Sequence, residues 1–167
     1  MKTLILIRHA KSLKDAAYSD DHERPLNEVG IKDAPLLGKF LKKEKIFPDL
    51  VISSTALRAK MTTELILEEL NPSINVVYDS RLYFEDHNSI LNIISEIDNS
   101  INKIMIIGHN PDIFNLTDKI IKEDFPYPKF STCGVAIINF KIDDWYDILE
   151  NKGKLSLYKS PNMLKTS

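Results

Sequence analysis

Six short apolar runs, at residues 3–7, 50–53, 75–78, 103–107, 134–140 and 154–158, each have the length of a buried strand. The stretches between the first four are long enough for helices, and their apolar residues recur at helical spacing. Leu36, Leu37, Phe40 and Leu41 mark the first stretch, which closes on the basic turn Lys42, Lys43 and Lys45. Met61, Leu65, Leu67 and Leu70 mark the second, which Asn71 and Pro72 end. Asn88 is a candidate cap for the third, which carries Ile90, Leu91, Ile94 and Ile97. Asn110 and Pro111 open the fourth, with Ile113, Phe114, Leu116, Ile120 and Ile121 behind them. Strands alternating with helices in this way predict right-handed crossovers around a mostly parallel sheet, a three-layer α/β/α fold. The last two runs lack a helix-length connection, which predicts an antiparallel element at one end. Pro35 lies inside the first helical pattern and predicts a helix delayed to begin near it.

The totals narrow the function classes. A chain of 167 residues supports one compact domain spanning 1–167. Lys and Arg number 22 against 24 Asp and Glu, so no basic excess points to nucleic acid. No polybasic block or long apolar segment points to a membrane. The single cysteine, Cys133, cannot form an internal disulfide and fits a reducing compartment as a small buried apolar residue. Arg8 and His9 interrupt the first apolar run before any signal-peptide cleavage pattern, so the expected location is the cytoplasm. Trp145 and Tyr146, within the acidic stretch 143–147, read as a surface turn.

Three of the strands end on residues suited to binding an anion. The first releases Arg8, His9, Ala10, Lys11 and Ser12. In an open α/β sheet the carboxyl ends of the strands are where ligands bind, and a guanidinium beside an imidazole there suits a phosphate. The fourth run leads into Gly108, His109, Asn110 and Pro111. Its glycine permits close approach to a ligand, and its proline suits the first position of a helix whose amides favour an anion. The second run leads through Ser54 to Arg58, with Thr62 one turn later on the same helix face. Two arginines and two histidines thus converge on one sheet edge, which packing alone does not explain, because buried arginine is rare unless paired.

These motifs resemble the histidine phosphatase (phosphoglycerate mutase-like) superfamily, specifically its short SixA-type phosphohistidine phosphatase branch, over nearly the whole chain. Arg8-His9-Ala10 is similar to the nucleophile motif, with Ala10 in place of glycine. The segment from Asp21 through Arg24-Pro25-Leu26 to Gly30, the Ser54, Arg58, Ala59 and Thr62 set, Gly108-His109-Asn110-Pro111, and Ser160-Pro161 resemble further segments of that branch. The resemblance implies a phosphoglycerate mutase-like fold and a covalent phosphohistidine intermediate on His9. It implies that Arg8, Arg58 and His109 bind the phosphoryl oxygens, with Ser12 as a further donor, and that no metal or other cofactor takes part. Thr62 and Ser54 would hold Arg58 in place. The general acid of many relatives follows the third strand. Where short relatives have Glu after a Leu-Tyr pair, this chain has Phe84, and Glu85 comes one place later with Asp86 and His87 as rivals. Short connections imply an open site. The expected substrate is phosphohistidine on a protein; the alternatives are a phosphatase for small phosphate esters and a non-catalytic phosphate-binding module.

Overall fold

In the computed structural model, which describes residues 1–14 and 20–166, the apolar runs form one six-stranded sheet. Its strands are β1 (Lys2–Arg8), β2 (Leu50–Ser53), β3 (Val76–Tyr78), β4 (Lys103–Gly108), β5 (Val135–Phe140) and β6 (Lys154–Lys159). They lie in the order β3-β2-β4-β1-β5-β6. The first four are mutually parallel, β5 runs antiparallel to β1, and β6 runs antiparallel to β5. The expected antiparallel element is therefore the β5-β6 edge. The helices are α1 (Glu28–Lys43), α2 (Leu57–Leu70), α3 (Arg81–Phe84), α4 (His87–Ser95), α5 (Asp112–Ile120) and α6 (Pro161–Lys165).

The central strands are apolar on both faces because both faces are covered. Ile5, Ile7, Met105 and Ile107 share one core with Leu37 and Leu41 of α1 and Ile66 of α2. The alternate residues Leu4, Leu6, Ile104 and Ile106 share the other with Ile90 and Ile94 of α4 and Leu116 of α5. Each such fully buried side chain contributes about 1.5–3 kcal/mol. The layers are drawn close by small residues. A Cβ on Gly30 would lie 2.2 Å from the Lys11 carbonyl, and one on Gly38 would lie 2.7 Å from the Ile66 carbonyl. Glycine at 30 thus seats the start of α1 against the segment that follows Arg8-His9-Ala10.

Four sequence expectations need correction. Pro35 does not delay α1, which starts at Glu28 because the Asn27 side chain accepts from the Gly30 amide and caps it. Packing along the whole helix outweighs the one intrahelical bond that Pro35 removes. Asp86, not Asn88, caps α4, because its carboxylate accepts from the amides of Asn88 and Ser89. Pro111 sits at the cap of α5 and not at its first position. Trp145 is fully buried and donates from Nε1 to the Ile101 carbonyl at 2.7 Å, so it is core; Tyr146 beside it is exposed. Among the described residues no helix is long and apolar enough to cross a membrane.

Candidate active site

Strand register builds the centre of the site. β1 and β4 pair in parallel until Arg8 lies opposite Gly108, so the next residues, His9 and His109, emerge side by side. The His9 amide donates to the Gly108 carbonyl at 3.0 Å, and the two imidazole centroids are 5.0 Å apart. On the other side of β4, Ser53 of β2 pairs with Ile107, and the Ser54 amide donates to the Ile107 carbonyl. That places the Ser54 hydroxyl 2.8 Å from His109 Nε2.

His9 is fixed as a nucleophile would be. Its Nδ1 lies 2.7 Å from the Ala10 carbonyl, which can only accept, so Nδ1 carries the proton and Nε2 the lone pair. Burial, reinforced by repulsion between the charged forms of the two rings and by the Arg58 and Arg8 guanidiniums, holds its pKa well below the usual histidine value. The ring is neutral at pH 7. The backbone around it is clamped. The Ala10 amide donates to Thr62 Oγ1 at 2.9 Å, while that hydroxyl donates to the Arg58 carbonyl at 2.7 Å. The Cys133 amide reaches the carbonyls of both Arg8 and His9. The Cys133 thiol is buried and its pKa is raised by that burial.

Around His9, three buried nitrogens have no hydrogen-bond partner among the described residues: Arg8 Nε, Arg58 Nε and His109 Nδ1. Each of these side chains is anchored through another of its atoms. Arg8 Nη1 donates to the Phe130 carbonyl at 3.0 Å, and Asn110 Nδ2 donates to the same oxygen at 2.9 Å. Arg58 donates from Nη1 to the Asp21 carbonyl at 2.8 Å and from Nη2 to the Asp21 carboxylate at 3.1 Å. Burial, together with Arg58, lowers the His109 pKa to about 3, so this ring is also neutral in the free protein. Ser54 Oγ accepts from the Ala56 amide and can donate its own proton to His109 Nε2, the arrangement in which His109 Nδ1 carries the ring proton. Buried donors left unpaired are costly unless an acceptor meets them. An anion with several oxygens is the acceptor that suits two guanidinium groups and an imidazole.

The other expected residues stand outside this cluster. Ser12 bridges to Leu26 through its backbone, and its hydroxyl accepts from Arg24 Nη1. Glu85 is exposed and its carboxylate accepts from the Ser89 hydroxyl. Asp86 is occupied as the α4 cap. What the segment after β3 does bring to the site is Tyr83, edge-on to His109 at 5.5 Å and to His22 at 4.7 Å. The Tyr83 hydroxyl donates to Asp21 Oδ2 at 2.6 Å. That bond, with those from Arg24 and Arg58, holds the Asp21 carboxyl well below the usual carboxylate range. Sequence reasoning passed over both Asp21 and Tyr83. Asp21 lay within a quoted motif, but its grip on Arg58 spans 37 positions and has no spacing signature.

A family model described as histidine phosphatase superfamily (branch 1) matches residues 4–83, which hold Arg8, His9 and Arg58. The chain belongs to the histidine phosphatase superfamily. It is similar to a protein of Mycobacterium tuberculosis, 30% identical over 154 residues that cover 85% of this chain and 91% of that one. It is also similar to the phosphohistidine phosphatase SixA of Escherichia coli, 27% identical over 137 residues, 81% of this chain and 83% of that protein. The structure of the protein histidine phosphatase SixA complexed with tungstate superposes with a TM-score of 0.83 at 22% identity, covering 97% of this chain and 99% of that one. The fold is phosphoglycerate mutase-like, and both histidines stand at the ends of adjacent parallel strands.

Proposed function

We propose that this histidine phosphatase removes the phosphoryl group from phosphohistidine carried by a protein, through a covalent intermediate on His9 and without a metal. The observation that carries the reading is the neutral His9, with Nδ1 tied to the Ala10 carbonyl, set among three buried nitrogens that lack protein partners. The Nε2 lone pair attacks phosphorus, a bond from His9 to phosphorus forms, and the bond from phosphorus to the leaving nitrogen breaks. The departing imidazole nitrogen takes its proton from water. A water then attacks phosphorus, the bond to His9 breaks, a proton from that water neutralises the hydroxide left by the first step, and inorganic phosphate leaves with neutral His9 restored. Arg8, Arg58 and His109 hold the equatorial oxygens throughout, supplying the charge stabilisation that phosphoryl transfer chiefly needs. Ser12 and Glu85 would act only after moving from their present partners.

Two observations favour a protein-borne phosphohistidine. Imidazole departs more readily than an alkoxide, and among the described residues no carboxylate is hydrogen-bonded to His9. The segment after β3 is short and largely exposed, leaving room for a protein surface. SixA relatives act in the same sense, and a fold of this kind accommodates tungstate. Turnover of a phosphohistidine-bearing protein should exceed that of small alkyl and aryl phosphates in kcat/KM. A clear preference for a small ester would overturn the substrate assignment. Binding of phosphate without any turnover would leave only a phosphate-binding module.

A further inference from the structure

The same sheet edge continues past His9 onto the antiparallel side. β1 is followed across the sheet by the start of β5 and the end of β6. There, a cavity of about 360 Å³ is lined by Arg8, Lys11, Lys129, Lys165, Ser131 and Asn162, among others. Arg8 belongs to both places, so the cavity adjoins the phosphoryl site through that side chain. Its charge is one-sided. Among the described residues that line it, the only carboxylate is Asp33, which is buried and lies 2.9 Å from Lys165 Nζ. Lys11 and Lys129 are exposed. The whole chain, by contrast, carries a net charge of −2. A local cationic cleft on a mildly acidic protein attracts and orients anionic partners while leaving the rest of the surface unattractive to them.

We infer that this cleft binds an acidic segment of the phosphoprotein substrate, placing carboxylates against Lys11 and Lys129 while the phosphoryl group sits at Arg8. This rests on the protein-substrate reading above. An extended peptide fits better than a second phosphate. The lysines project from separate segments around an open cleft, whereas a compact phosphate needs convergent, rigid donors. Exposed lysines suit several carboxylates spaced along a chain. The flanking sequence of the substrate, and not a lid over it, would thus supply specificity.

The test does not require turnover. A fluorescently labelled, unphosphorylated peptide rich in Glu and Asp is titrated with the full-length protein, beside a peptide in which these are Gln and Asn. The acidic peptide should bind in low salt and the neutral one should not. Lys129→Glu should weaken binding at least about tenfold, the Lys11→Glu/Lys129→Glu pair further, and Lys129→Arg little, with circular dichroism reporting the fold. In the kinetic arm, Lys129→Glu should raise KM for a phosphohistidine peptide with an acidic flank and leave its kcat unchanged. Equal binding of the two peptides, or indifference to Lys129→Glu, overturns the inference. Failure of the wild-type protein to turn over any phosphohistidine peptide would instead strike the substrate assignment, and the titration would still decide the cleft.

Discussion

On the side of His9 that holds the unpaired donors, residues from three strand ends are fixed by buried or half-buried bonds: the Arg8 side chain by the Phe130 carbonyl, the His109 ring by Ser54, and the Arg58 backbone by Thr62. The segment that follows β3 is built otherwise. It is a four-residue helix, an exposed Glu85 and a cap, and it meets the site through Tyr83, which donates to Asp21 and stands edge-on to His109. Under the proposed function, a site rigid where phosphorus would be held and open where the rest of the substrate would lie keeps its chemistry constant while admitting a large partner.

Breaking the rigid side should cost most. Arg58→Ala should lower kcat/KM on the order of 100- to 1,000-fold, as loss of one preorganised transition-state donor does; steady-state kinetics would read it, and a change within threefold would show that Arg58 does not hold the phosphoryl group. Thr62→Val leaves the Ala10 amide buried without an acceptor, and should cost about 1–3 kcal/mol in denaturant unfolding along with activity. Asp21→Asn, which loosens the link between the two sides, should reduce activity about five- to tenfold with little loss of stability. Retained activity would mean that Arg58 needs no such partner. The smallest effect belongs to the open side. Glu85→Gln should change kcat/KM for a phosphohistidine substrate by less than about twofold, since an exposed carboxylate contributes little; a large loss confined to ester substrates would restore Glu85 as a proton donor.

Acid stability sharpens the same contrast. His9 and His109 are held below their unfolded value, so the unfolded chain binds more protons than the native one between about pH 3, the His109 value, and the unfolded value of about 6.5. Their contribution is present above pH 6.5 and is lost as pH falls through that window, by up to about 1.4 kcal/mol per pH unit for each ring. A saturating phosphate analogue should blunt the slope, because its charge favours the protonated rings.

The rigid side was legible in the sequence and the open side was not, for a physical reason. Apolar runs, strand ends and the order of Arg8, His9, Arg58 and His109 are local patterns, and parallel register turns them into neighbours automatically. Asp21 holding Arg58, the Phe130 carbonyl holding Arg8, and the Cys133 amide holding the His9 backbone are contacts between distant segments, and main-chain groups take part in all three. No residue type announces a carbonyl. Trp145 was misread for a related reason: its acidic neighbours suggested solvent, whereas its indole fills the core beneath α4. Pro35 shows the converse, a strong local signal overridden by packing on both sides of it.

The most direct test is to trap the intermediate. The protein is mixed with a substrate bearing a radiolabelled phosphoryl group, quenched within the first turnover, digested and mapped. The expected result is a single acid-labile, alkali-stable label on the peptide that contains His9, absent from His9→Ala, whose turnover should be abolished. A label on His109, or full turnover by His9→Ala, would contradict the assignment of His9 as the attacking group.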